Sequence, residues 1–178
     1  METSFLHWHF TGEFSDSSSV GTWYDVKSEH VFRSFTVSGL VIPPGRYDFS
    51  ENNYSFNYNR AAPISFGFNT VIGGFFGGQI RTVRPSLRAR YGETFNVSLS
   101  YSRNDIDLPV GSTITNLASI RLAYNVSPRV FAQALMQYND SAKVWSSYVR
   151  FGWLQDANTG LFIVYNEIEG ISDYAPLG

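Results

Sequence analysis

Two histidines near the N-terminus are the first residues whose types and spacing suit chemistry. His7 and His9 lie two residues apart in LHWHF, so a strand would place both imidazoles on one face. Such a pair can bind a metal ion, with His30 as the one candidate for a third ligand. Interior polar side chains are the favoured interpretation, and metal binding stays the alternative.

A second group of oxygen-bearing side chains lies in the middle of the chain. Asn104, Asp105 and Asp107 fall close together in SRNDIDLP. Calcium prefers carboxylate and carbonyl oxygens, but the further acidic ligands of a calcium loop are missing at their fixed spacing. Local turn hydrogen bonds of the Asx type are therefore favoured over a calcium site at Asp105 and Asp107.

Arginine is the most frequent charged residue on the polar side of the strands that the sequence predicts. Two functions fit: the guanidinium groups line a pore that favours anionic or sugar ligands, or they form interior ion pairs with Asp25, Glu29 and Glu51. Ion pairing is the favoured alternative. The arginines concerned are Arg84, Arg88, Arg90, Arg121 and Arg150.

No arrangement of residues predicts an enzyme or a cofactor. The glycine-rich segment Gly73–Gly78 lacks the Lys-Ser or Lys-Thr pair of a phosphate loop. A nucleophile elbow, a paired-carboxylate motif and a Cys-His arrangement are absent as well.

Strands are the elements that must position these residues, and the run from Val144 to Trp153 shows the pattern best. Trp145, Val149 and Trp153 fall on one face, and Arg150 falls on the other. An apolar face with tryptophan at both ends is typical of a lipid-facing strand between two aromatic girdles. The girdle residues predicted along the chain are Trp8, Tyr101, Tyr124, Tyr138, Trp145, Phe151 and Trp153.

About ten alternating runs predict an all-β fold, namely an antiparallel up-and-down transmembrane β-barrel in a single domain over residues 1–178. Short connections are predicted at 61–63, 90–93 and 126–128, and long ones at 37–45 and 103–115. The sequence also predicts a flexible hairpin tip at Gly73–Gly78 and a bulge or break at Pro85.

The composition supports a β-protein with little surface charge. Aromatic residues make up 17% of the chain and charged residues 16%, against about 25% charged in average soluble domains. The net charge of −2 gives no electrostatic basis for binding nucleic acid. The chain has no cysteine, which excludes disulfides and thiolate metal sites.

Four strings in the chain resemble a known bacterial family. They are RLAYNVSPRVFAQALMQYN (121–139), LFIVYNE (161–167), GLVIPPGRYDF (39–49) and SRNDIDLP (102–109). They are similar to the C-terminal outer-membrane β-barrel of a family known as domain of unknown function 5916. In that family the barrel follows a domain of the family-9 carbohydrate-binding type. The resemblance covers about residues 39–167 and implies location and architecture more than chemistry.

Location and role follow from the barrel prediction and from this resemblance. The first residues, METSFLHWHF, are not a signal peptide, so the barrel is expected to be the C-terminal part of a larger protein, either complete or lacking some strands. We expect a bacterial outer-membrane location, contact with membrane lipid, and an upstream carbohydrate-binding domain as partner. The expected role is an anchor, translocator or pore for that partner, linked to glycan handling. A soluble secreted carbohydrate-binding β-sandwich is the alternative.

Overall fold

The computed structural model describes residues 2–156 and 159–170, which form twelve β-strands joined mostly by short turns. No helix in this part of the chain is long and apolar enough to cross a membrane. The strands are β1 (Glu2–Glu13), β2 (Ser19–Val31), β3 (Phe35–Val37), β4 (Leu40–Ile42), β5 (Gly45–Tyr58), β6 (Ile64–Phe75), β7 (Gly78–Tyr91), β8 (Phe95–Leu108), β9 (Gly111–Ser127), β10 (Val130–Asn139), β11 (Val144–Asp156) and β12 (Thr159–Gly170).

Ten of these strands form one antiparallel sheet in the order β1-β2-β5-β6-β7-β8-β9-β10-β11-β12, and β3 and β4 form a separate hairpin. Each strand of the large sheet pairs with the next large strand along the chain, so the predicted all-β, antiparallel, up-and-down architecture is confirmed. Closure is not shown: among the described residues β1 pairs only with β2, and β12 pairs only with β11.

The strand register divides the side chains of the sheet into two faces. Residues directly opposite each other on paired antiparallel strands share a face, and alternate residues along a strand change face. We call the face that carries Val149 and Phe151 the outer face, and the face that carries Arg150 the inner face. Register followed from strand to strand assigns the paired residues of the large sheet to one or the other.

A small apolar core lies on the inner face, under the β3–β4 hairpin that connects β2 to β5. Its buried residues are Val31, Ile42, Phe76, Ile106 and Leu108. Val31 belongs to β2 and Leu108 to β8, four strand spacings away, which is about 19 Å across a flat sheet. One two-stranded hairpin contacts both, so the sheet curves around it and the inner face is concave.

Residues 37–45, predicted as a long connection, are in fact mostly part of this hairpin. Its turn falls at Ser38 and Gly39, whose φ angles are 48° and 85°. Positive φ at both central residues is typical of the tight hairpin turns that match strand twist.

The predicted long connection at 103–115 is wrong. β8 continues to Leu108 and β9 begins at Gly111, so only two residues join them. The polar residues of this segment suggested a loop, but they belong to β8. Earlier in β8 the apolar side chains lie on the outer face, and in its last residues they lie on the inner face. Ile106 and Leu108 point inward to the hairpin, while Asp105 and Asp107 lie on the outer face.

The glycine-rich segment Gly73–Gly78 is not a flexible tip. Only Phe76 and Gly77 form the turn, and the Phe76 side chain is buried in the core. Gly78 lies in β7, where a Cβ atom would collide with the backbone of Asp107. Glycine is therefore needed there because two strands approach closely.

Pro85 lies within β7 and causes neither a bulge nor a change of register. The β7–β8 ladder stops after Val83 and resumes at Ser86 in the same register, so Arg84 and Pro85 lack paired positions on β8. A proline has no backbone donor, and this gap is the local break that its position predicts.

We expect the hairpin to depend on the side chain of Ile42. Ile42 is 1% exposed and its neighbour Val41 is 54% exposed on the opposite side of β4. Replacing Ile42 with alanine should destabilise the hairpin by about 2–5 kcal/mol, because a buried cavity is created. Val41→Ala should change stability by no more than about 0.5 kcal/mol.

Hydrogen exchange of the amides of Phe35–Ile42 measures this difference. Exchange should accelerate strongly in Ile42→Ala and hardly at all in Val41→Ala. Equal rates in the two variants would show that the hairpin does not rest on this contact.

Candidate functional site

The outer face presents an apolar band that crosses all ten strands of the large sheet. Every strand of the large sheet has exposed large aromatic or aliphatic side chains on this face. No other element among the described residues covers them. One exposed example from each strand in sheet order is Trp8, Tyr24, Tyr54, Phe66, Leu87, Leu99, Tyr124, Met136, Phe151 and Ile163.

The size of this band distinguishes it from the surface of an ordinary soluble monomer. Along β11 it runs from Trp145 to Trp153, about 27 Å at about 3.4 Å per residue. Across the sheet, ten strands at about 4.8 Å span about 48 Å. The product, about 1,300 Å², exceeds the largest apolar patch of a typical monomer, about 300–600 Å². The outer face is thus suited to burial against another apolar phase.

The apolar band ends in a charged zone towards the end of the sheet that carries the β3–β4 hairpin. Side chains of both signs lie there on the outer face of β5, β7, β8 and β12. These residues are Arg46, Asp48, Arg81, Arg103, Asp105, Asp107, Glu167 and Glu169.

The two groups predicted from alternation fall on opposite faces. The pairing places all seven girdle residues on the outer face: Trp8, Tyr101, Tyr124, Tyr138, Trp145, Phe151 and Trp153. It places all five arginines on the inner face: Arg84, Arg88, Arg90, Arg121 and Arg150. Contact of the first group with lipid stays a prediction.

The inner face carries its acidic groups on β2 and β5. Lys27 donates from Nζ to Oε2 of the buried Glu51 over 2.6 Å. Asp25 forms a short hydrogen bond with Nδ1 of His7 and accepts a second, of 3.4 Å, from the amide of Asn53. This half of the inner face is therefore largely neutralised by its own partners.

The expected ion pairs between the arginines and these acids do not form. Asp25 and Glu51 pair with His7 and Lys27, and one carboxylate oxygen of Glu29 is buried without a partner among the described residues. Strand order gives the reason: the acids lie on β2 and β5, and the arginines lie on β7, β9 and β11.

Four of the arginines lie in two adjacent rows that run across the strands, which we call the arginine rows. The first row, in strand order from β7 to β11, is Arg90, Asn96, Ala123, Gln133 and Arg150. The second is Arg88, Ser98, Arg121, Leu135 and Tyr148. Arginine occurs only on β7, β9 and β11 in these rows, so no two guanidinium groups stand on directly paired positions, where like charges destabilise a sheet.

The guanidinium groups differ in how they are held. The guanidinium of Arg150 packs against the rings of Phe131 and Phe162, at 5.4 and 5.0 Å from their centroids. Arg90 donates from Nη2 to the carbonyl of Ala61 over 2.9 Å. Arg84, outside the rows, donates from Nη1 to Oδ1 of Asn69 over 3.4 Å.

Arg88 and Arg121 stand apart, because neither guanidinium forms a hydrogen bond or a salt bridge with any described residue. Both line a groove of about 440 Å³ on the inner face, together with Asn96, Ser98, Gln133 and Tyr148. A second groove of about 240 Å³ adjoins it, and its lining includes Arg88, Ser98 and Arg60. Guanidinium groups in this setting bind carboxylate, sulfate or phosphate through paired N–H donors.

The strand register separates the additional ligands that the two candidate metal sites would need. His30 lies on the outer face, opposite to the face of His7 and His9, so it cannot complete their site. Asp105 and Asp107 lie on the outer face of β8, whereas Asn104 points inward to Thr82 and Thr115. No group of three or more metal-ligating side chains occurs among the described residues.

The groove residues Asn96, Ser98, Gln133 and Tyr148 were not singled out from the sequence. Each lies on the same face as an arginine, one or two strands away from it. The turns at 92–94 and 128–129, together with the register shift between Val130 and Phe131, fix which residues share a row, and the sequence pattern does not reveal that shift.

Comparisons of the chain with protein-family models, with curated proteins and with solved structures gave no match. The resemblance to the bacterial barrel family therefore stays a prediction.

The Lys27–Glu51 pair is expected to stabilise the sheet measurably. Lys27→Met leaves a buried carboxylate without its partner, which should lower the free energy of unfolding by about 2–3 kcal/mol. The control is Lys143→Met, which removes the exposed pair with Asp140 and should cost at most about 1 kcal/mol. Urea unfolding in detergent measures both.

A second variant tests the cause of that loss. Glu51→Gln in the Lys27→Met background should recover part of the stability, because the unpaired charge is gone. If Lys27→Met lowers the free energy of unfolding no more than Lys143→Met does, the Lys27–Glu51 pair contributes no more than a surface contact.

Proposed function

We propose that this chain forms the membrane-spanning sheet of a bacterial outer-membrane β-barrel. Its outer face contacts lipid, and its inner face lines a polar interior. The role that fits is to anchor or translocate a partner domain, or to give a solute a path across the membrane. The resemblance to the barrel family adds a carbohydrate-binding domain as the proposed partner and glycan handling as the proposed context.

One observation carries the proposal: a continuous apolar band on one face of ten strands, opposite a face with five arginines. A soluble β-sheet buries its apolar face against a second layer. Transmembrane barrels have the reverse arrangement, with the apolar face outward and the polar face inward.

The strand lengths and the surface of the band agree with this proposal. The ten large strands have 10–17 residues, and a transmembrane strand needs about 9–11. A shallow apolar depression of about 430 Å³ lies on the outer face between Leu87, Leu99, Ala118 and Trp145. Its lining is suited to the acyl chain of a lipid.

Closure of the barrel requires that the free edges of β1 and β12 find partners. An unpaired backbone group in hydrocarbon costs several kcal/mol, so an open edge is not stable in the bilayer core. Ten strands in up-and-down order leave β1 and β12 antiparallel, which is the orientation they need to pair with each other. Strands from other chains can satisfy the same edges.

The alternative of a soluble carbohydrate-binding sandwich requires a second sheet over the apolar face. Among the described residues the only other sheet is the β3–β4 hairpin, and it covers part of the inner face. The apolar outer face is thus left without the layer that a sandwich would need.

Two leucines of equal exposure on opposite faces test the membrane proposal. Leu99 lies on the outer face and Leu117 on the inner face, and each is 40% exposed. In lipid bilayers Leu99→Arg should lower the free energy of unfolding by about 2–4 kcal/mol, because the charge enters hydrocarbon. Leu117→Arg should cost less than about 1 kcal/mol, because its side chain meets water.

Refolding into lipid vesicles at graded urea concentrations measures both variants. If the two variants lose the same stability, both faces meet the same medium and the membrane proposal fails. A soluble sheet that keeps both leucines at the water surface would give that result.

The open edges predict self-association. All twelve residues of β12 are exposed, so its unpaired backbone groups can template pairing with another chain. We expect the refolded 178-residue chain to form oligomers in detergent. Val164→Lys together with Ile168→Lys, both on the inner face of β12, should shift it towards monomer.

Light scattering after size-exclusion chromatography gives the mass, and gel mobility before and after heating reports a closed barrel. A compact monomer whose mobility changes on heating would contradict the prediction, since β1 and β12 of one chain would then pair with each other.

A further inference from the structure

We propose that the arginine rows form a binding site for an extended polyanion, an oligosaccharide that carries carboxylate or sulfate groups. The site lies on the inner face over β7–β11, where Arg88 and Arg121 line a groove. It uses the inner face alone and does not depend on whether the outer face meets lipid.

The first support is that the charge of these arginines is not neutralised within the protein. Arg88 and Arg121 have no carboxylate and no hydrogen-bond acceptor among the described residues, yet both line the same groove. Of the acids on the same face, Asp25 and Glu51 are engaged by His7 and Lys27, and Glu29 lies on β2, away from β7–β11. A concave surface with one sign of charge focuses its potential and attracts an opposite charge.

The second support is the spacing of the donors. In the second row Arg88 and Arg121 lie two strands apart, about 10 Å, with Ser98 between them. In the first row Arg90 and Arg150 lie four strands apart, about 19 Å, and the residues between them include Asn96 and Gln133. Asn96, Ser98 and Gln133 can bond hydroxyl groups, while guanidinium groups bond acidic groups. A ligand with regularly spaced acids separated by hydroxyls matches this pattern, and a single small anion would use only one guanidinium.

The third support is that Arg150 is held in place before any ligand binds. Its guanidinium packs against the rings of Phe131 and Phe162, and this contact restricts its rotamers. A group ordered in advance loses less entropy on binding. The aromatic contact also replaces the carboxylate that usually holds an interior arginine.

The test measures binding of a galacturonate hexamer, a polycarboxylated oligosaccharide, to the folded protein in detergent by calorimetry. The comparison ligand is maltohexaose, which has hydroxyl groups but no acid. We expect the acidic hexamer to bind, with an affinity that falls as salt rises, and the neutral hexamer not to bind. Equal binding of the two sugars would overturn the proposal, and so would failure of the acidic sugar to bind.

Two double variants with the same loss of charge locate the site. Arg88→Gln with Arg121→Gln removes two inner guanidinium groups and should weaken binding at least about tenfold, or about 1.4 kcal/mol. Arg81→Gln with Arg103→Gln removes two outer-face arginines and should change affinity less than about twofold. Equal weakening by both pairs would mean that only net charge matters, and the site would not exist.

A phosphate competition tests the requirement for an extended ligand. Inorganic phosphate at the concentration of the hexamer should leave most of the sugar bound, because it engages one guanidinium rather than a row. Complete displacement by phosphate at that concentration would overturn the assignment to an extended polyanion. Leu99→Arg and Leu117→Arg report on lipid contact, and the sugar-binding experiments report on the arginine rows. Failure of the membrane proposal can therefore be distinguished from failure of the polyanion proposal.

Discussion

The continuous antiparallel pairing of the ten large strands is the constraint on which the rest of the structure depends. Nine consecutive pairings link β1 to β12, and each transfers the inward and outward assignment from one strand to the next. The apolar outer face and the arginine rows are two consequences of that one property. At Pro85 the β7–β8 ladder loses paired positions but keeps its register, so the faces stay aligned across the gap.

The β3–β4 hairpin joins distant strands of the sheet through one small apolar core on the inner face. Its contacts reach from Val31 on β2 to Leu108 on β8, which brings distant strands around one small core. A flat sheet would leave the arginines spread over an open surface. Around the hairpin the same residues line grooves, and a concave wall strengthens their combined field.

Period-two alternation was enough to predict the class of fold, the number of large strands and the shared face of Arg84, Arg88, Arg90, Arg121 and Arg150. It failed where the apolar positions change face, since Ile106 and Leu108 belong to a core that the hairpin creates from distant sequence. The partners of the arginines were mistaken for the same reason. Alternation assigns a face but gives no position along the sheet, and strand order keeps Asp25 and Glu51 away from β7–β11.

The opposite characters of the two faces also protect the register against slippage. A shift of one residue in β9 would bring Arg121 to the outer face and Leu122 to the inner face. If the sheet spans a bilayer as proposed, moving Arg121 to the lipid side near the midplane would cost about 2–4 kcal/mol. Under the two proposals, Arg121 therefore has two roles: it is available to an anion on the inner face, and it disfavours the competing register of β9.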